Sequence, residues 1–212
     1  MKMAQTLMND SEEAMLIYKD DTMTASTQNM NHQNALSPRH PDSRLEADWL
    51  FLYDKLPPDK WLVAEYVYKT SGWLNIHADI RKRQHIIMQI SESYHSDSIE
   101  WVEYRSQILP RINQYIFKLH QHHNIEDQAY FPTFIRMYPQ LKLGFEILDR
   151  DHARLDGLLN ELQALNDRLA ISEVEDNALG EQLHKILINV SELLSQHLTD
   201  EEDLVIPILG LN

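Results

Sequence analysis

The sequence predicts an all-α protein, an up-and-down antiparallel four-helix bundle preceded by an N-terminal extension. Three observations predict it. Four long stretches carry apolar residues at helical period, no alternating strand pattern survives beyond Trp73, and the intervening connections are short enough to force antiparallel neighbours.

Residues 1–44 are rich in Asn, Gln, Ser, Thr, Met and Asp, end in SPRHPDS and show no durable periodicity, which predicts a flexible tail holding His32 and His40. Residues 45–71 are rich in aromatic side chains and broken by Pro57 and Pro58, as suits an arm packed on a folded body through Trp49 and Trp61. The bundle follows over 72–212. Its first helix is expected from about Trp73 to Ser93, with Trp73, His77, Ile80, Gln84 and Ile87 on one stripe. The second is expected to begin near Asp97, where Asp97 and Glu100 have capping-box spacing, and to stop at Pro132. The third opens after Pro139 with Phe145, Leu148, His152, Leu155, Leu159 and Leu162 in register. The fourth follows the acidic loop SEVEDN and carries Leu183, Ile186, Val190, Leu193, His197, Glu201 and Leu204 before Pro207.

A formal charge of −14 argues against nucleic acid and anionic membranes as partners, because both are gripped by clustered Lys and Arg. The chain has no cysteine, so thiolate metal sites and disulfides are excluded, and a metal would have to be held by imidazole and carboxylate. No apolar run reaches the roughly 18 residues of a membrane span, and the N-terminus lacks the pattern of a cleavable leader. The expected location is the cytoplasm.

A repeat sharpens the reading. Shifting the sequence by 75 residues superimposes His77 on His152, Gln121 on Gln196, His122 on His197, Glu126 on Glu201 and Pro132 on Pro207. With 11 histidines in 212 residues, a given position is His about one time in twenty, so the coincidence is not compositional. Each half is a helical hairpin holding a lone histidine and an H-x-x-x-E pair 45 positions later. Residues equally far from an antiparallel turn lie level, and the midpoints fall near Ile99 and Val174, inside the expected connections. His77 therefore levels with His122, and His152 with His197, while i and i+4 place each Glu on its histidine's face.

These residue types suit two cations. A carboxylate can bridge two metals and reduce their mutual repulsion, often with an oxygen from solvent, while neutral imidazoles cap each metal from outside. The donor set suits iron or manganese, with zinc as a third option. A lone histidine on an apolar stripe is more often a satisfied core residue than a ligand. Six donors together differ, because burying Glu126 and Glu201 without cations would cost several kcal/mol each.

In the segments LHQHHNIEDQAYFPTF, LDRDHARLDGLL and SQHLTDEEDLVIPIL, the chain resembles the hemerythrin family, the HHE cation-binding domain, over roughly residues 70–209. The resemblance implies two irons, bridged by Glu126 and Glu201 and capped by His77 with His122 and His152 with His197. It also implies an open coordination position for dioxygen, a related diatomic molecule or peroxide. Oxygen carriers of the family have a second histidine one turn from the lone ligand on the third helix. Here those positions are Leu148 and Asp156, which leaves two histidines per metal and sets the chain apart from carriers; Asp156 is a candidate weak extra ligand. Sensing, iron handling, or an enzymatic reaction with peroxide, nitric oxide or dioxygen are all compatible. Repair of iron-sulfur clusters is less so, since the proteins that do it carry N-terminal cysteines.

Several histidines and acids are weighed and set lower. His123 pairs with Asp127 at the same spacing as His122 with Glu126, but its repeat partner is Leu198. Asp127 and Glu202 lie about 100° from the bridging carboxylates and are expected either in solvent or as hydrogen-bond acceptors just outside the ligands. Glu202 could be swung inward by a local widening of its helix. His120 is expected at the surface or just outside the ligands, and Glu92 with His95 and Glu181 with His184 are expected to be incidental. No nucleophile elbow or glycine-rich phosphate loop is present among five glycines.

Overall fold

The computed structural model describes residues 39–212. Most of the stretch expected to be a tail, including His32, lies outside the described residues. The longest helices are α1 (Val67–His95), α2 (Trp101–Ile125), α4 (Lys142–Ile171) and α5 (Asn177–Leu211). A π-helical turn, Glu126–Tyr130, joins α2 to the short α3 (Phe131–Met137). Among the described residues there is no strand.

The bundle closes because α1 packs on α2 and α5, and α4 packs on α2 and α5. Their facing stripes form one apolar core, in which Ile108, Ile112, Leu119, Leu155, Leu159, Leu162, Leu183, Leu187 and Val190 are fully buried. Burying such a side chain stabilises the fold by about 1.5–3 kcal/mol each, which is why the stripes dictate the architecture. The turns containing Ile99 and Val174 fall where the repeat places them, between α1 and α2 and between α4 and α5.

Four boundaries differ from expectation. The first helix begins at Val67, six residues before Trp73, because Thr70 is buried and its hydroxyl bonds back to the carbonyls of Trp61 and Tyr66. The second begins at Trp101 with Glu100 in extended conformation and no side-chain cap. Asp97 instead terminates α1. Its φ of 54° is the left-handed conformation, its N–H bonds Tyr94 and the N–H of Ser98 bonds Ser93, the pattern that closes a helix C-terminus. Neither Pro132 nor Pro207 stops its helix. Pro132 enters the first turn of α3, where no N–H donor is needed, directly after the widened π turn. Pro207 lies inside α5, which runs on to Leu211.

The last turns of α5 are buried on every side, from Leu198 to Ile208. The cause is residues 39–66, which lie across them. Leu45, Leu50, Leu52, Leu56 and Trp61 are buried, and Leu56 presses on Gly210, where even a Cβ atom would collide with it. Polar contacts fix this segment. Arg44 donates to the carboxylate of Asp151, its backbone N–H reaches Asp200 at 3.4 Å, Arg39 lies 3.5 Å from Asp203, and Gln196 donates to the carbonyl of Asp42 at 2.6 Å. Two arginines thus face three buried aspartates.

Candidate metal centre

Inside the bundle, between the apolar core and the α2–α4 connection, lies a cluster of polar side chains that the apolar stripes do not explain. His77 comes from α1, His122 from the last turn of α2, Glu126 from the π turn, His152 from α4, and His197 and Glu201 from α5. All six are buried, none exposed by more than 6%. The structure brings every one of these predicted residues together, and it adds a seventh, His123.

The donors divide into two groups. His77, His122, Glu126 and Glu201 form one and His123, His152 and His197 the other, each offering ligand atoms within 4.8 Å of one another. The carboxylates span both. Oε1 of Glu126 lies 3.0 Å from Nε2 of His122, and its Oε2 lies 3.5 Å from Nε2 of His152. Oε1 of Glu201 lies 3.3 Å from Nε2 of His77, and its Oε2 lies 3.4 Å from Nε2 of His197. Each glutamate therefore turns one oxygen to a histidine of its own hairpin and the other to the lone histidine of the opposite hairpin.

The groups behind the imidazoles fix which nitrogen faces inward. Nδ1 of His77 donates to Glu202 at 2.9 Å, and that carboxylate also accepts from Arg81 at 2.6 Å. Nδ1 of His152 donates to Asp127 at 2.7 Å. A proton on Nδ1 leaves the Nε2 lone pair free for a metal, so the acids following the two bridging glutamates orient the lone histidines of the opposite halves. Both act as hydrogen-bond acceptors, the second of the two expected roles, and the helix widening falls at Glu126–Tyr130, not at Glu202. Oδ2 of Asp151 stands 4.0 Å from Nδ1 of His197.

The electrostatics are those of a site built for positive charge. Burial lowers the pKa of His122, His123 and His197, keeping them neutral and able to ligate. Burial, reinforced by the neighbouring Glu201, raises that of Glu126 well above the carboxylate range. Burial raises and the surrounding histidines lower that of Glu201, and the histidines, His77 first, prevail. Burial would lower the pKa of His77, but Glu201 and Glu202 outweigh it and raise it to about 9. A proton on His77 thus supplies the charge that a cation would bring, and metal binding would release it.

Unsatisfied atoms test whether cations fit. Nε2 of His77 and His122, both ring nitrogens of His123, both oxygens of Glu126 and Oε2 of Glu201 are buried without a hydrogen bond. Buried polar atoms are normally paired, and a cluster of orphans converging from four helices is what a cation pair would satisfy. Nε2 of His152 and Nε2 of His197 lie 3.1 Å apart, so a proton or a cation must sit between two lone pairs. The fit is good.

The remaining candidates lie elsewhere. Asp156 is half-exposed and 3.3 Å from His120, outside both groups. His95 and His184 stack near the other end of the bundle, with His95 2.7 Å from Glu181. Two side chains were not foreseen at the centre. His123 stacks on His152 with ring centroids 4.1 Å apart, so three imidazoles stand together in the second group. Trp73, read only as part of an apolar stripe, donates its indole N–H to Glu201 at 2.6 Å.

Fold and donor set together define a four-helix bundle with imidazoles and carboxylates able to hold metal between its helices. A family model described as the Hemerythrin HHE cation binding domain matches residues 69–209, and the chain belongs to that family. No curated protein and no solved structure gave a match. Among the described residues, no helix is long and apolar enough to cross a membrane.

Proposed function

We propose that this protein is a non-haem di-iron protein of hemerythrin type, which binds or senses dioxygen or a related small molecule through the interior site. The observation that carries the reading is the span of the two carboxylates, each with one oxygen at each histidine group. His77 and His122 would hold one iron, His152 and His197 the other, and Glu126 and Glu201 both. Imidazole with carboxylate, without thiolate, favours iron over softer metals. A reduced iron pair supplies electrons and an open coordination position to a small diatomic molecule. The chain's own residues keep water out, orient the imidazoles through Glu202 and Asp127, and offset the cationic charge with buried carboxylates.

The test is anaerobic iron loading of the metal-free chain followed by oxygen titration. Two irons per chain, with new near-ultraviolet absorption on oxidation, are expected. Fewer than one iron per chain would remove the reading. Rapid mixing of the loaded, reduced protein with dioxygen, nitric oxide and peroxide then separates a stable adduct from consumption.

A further inference from the structure

Between α2 and α4 the surface sinks into a depression of about 430 Å³. Its lining includes His120, Gln121, His123, Asn124, Asp127 and Asp156, and none of its lining residues is a lysine or arginine. At the mouth, Nδ1 of His120 and Oδ1 of Asp156 are 3.3 Å apart, and both side chains are about half exposed. His123 is 97% buried, and neither of its ring nitrogens has a hydrogen bond. That ring lies against His152, whose Nδ1 donates to Asp127, another lining residue. The depression is thus one side chain away from the metal donors.

The side of the centre that α5 forms is closed. His77, His197 and Glu201 have no exposed surface, and residues 39–66 cover the outer face of α5 beside them. We propose that this depression is the inlet by which hydrated divalent cations reach the centre, with His120 and Asp156 as the receiving pair and His123 as the group that passes the cation inward. The inference rests on the reading of the interior as a metal centre. Dioxygen has no need of a polar, acidic mouth, whereas a hydrated cation does. It sheds its waters one at a time and needs an oxygen or nitrogen donor at each step, and the inlet offers carboxylate, imidazole and amide in sequence. Two carboxylates in a concave surface of a chain with formal charge −14 also raise the local cation concentration.

The probe is cobalt(II), whose visible absorption reports ligation, mixed by stopped flow with the metal-free full-length chain at low ionic strength. The variant carries His120→Gln and Asp156→Asn, exposed positions whose loss leaves the core intact, as a thermal melt would verify. Glu181→Gln, which removes one negative charge near the other end of the bundle, is the control for net charge. Loading of the double variant is expected to slow about tenfold, with the final cobalt content unchanged and the difference shrinking as salt rises. The control should load within twofold of the parent. Loading of the double variant at the parental rate would overturn the inlet, and so would a reduced final cobalt content, which would make the pair part of the holding site. A parent chain that takes up no cobalt would instead overturn the centre, and the inlet with it.

Discussion

The indole N–H of Trp73 donates to Oε1 of Glu201, the oxygen that also faces Nε2 of His77. The hydrogen bond aims that carboxylate, leaving its other oxygen toward His197. Replacing Trp73 with Phe removes the donor while keeping an aromatic ring among His77, His122 and Tyr130. Metal affinity should fall by about 10-fold or more, the usual scale for losing a group that orients a ligand. Competition with a chelator checks this, and loss of metal-induced fluorescence quenching in the variant gives a second readout.

Glu126→Gln should move stability and metal binding in opposite directions. Without cations, burial penalises the Glu126 carboxylate, and Glu201 adds to the penalty. A neutral amide of the same shape removes it. The metal-free variant should be more stable by about 1 kcal/mol at neutral pH, since the amide folds without the proton uptake that a carboxyl with a raised pKa requires. Its metal content should drop below two per chain. Calorimetry and metal analysis on the same sample decide it, and a variant that melts lower without metal would contradict the electrostatic reading.

Arg44→Ala should destabilise the fold by about 2 kcal/mol, because Asp151 is fully buried and would be left with the exposed Arg154, 3.5 Å away, as its cationic partner, though Arg44 itself is one-third exposed. Adding Asp151→Asn should restore part of the loss, since the buried charge is gone. Urea denaturation of the two single variants and the double variant forms the cycle that measures the coupling.

Gly210→Ala tests whether residues 39–66 truly clamp the end of α5. A methyl group there meets Leu56, with Thr70 and Tyr66 close by. Overpacking of this kind costs about 1–3 kcal/mol, against the small gain Ala brings to a helix. The companion change Leu56→Ala in the same chain should relieve it, and thermal melts of both report the outcome.

The six donors named from the repeat are legible because helical period and hairpin symmetry are local arithmetic. His123 is not, because consecutive residues on a helix diverge by about 100°, which suggests that only one of His122 and His123 can face inward. A site extended over two groups gives each a separate target. The pairing of His123 with Asp127 by spacing was the available signal, but Asp127 bonds His152 instead. The burial of Asp200 and Asp203 could not be read either. It depends on Arg39 and Arg44 arriving from residues more than 150 positions earlier, and no periodicity encodes that docking. The boundary at Asp97 failed for a simpler reason, since the same side chain suits a helix start and a left-handed helix stop.

Because Glu126 reaches across to His152 and Glu201 to His77, neither hairpin owns a complete set of grips. The cations would work as a seam, stitching two quasi-equivalent hairpins joined covalently by the tether between Ile125 and Lys142, which includes the π turn and α3. A chain nicked in that tether should stay one particle while loaded and come apart more readily once a chelator strips it, the outcome expected if metal held across the duplicated motif also binds the two halves together.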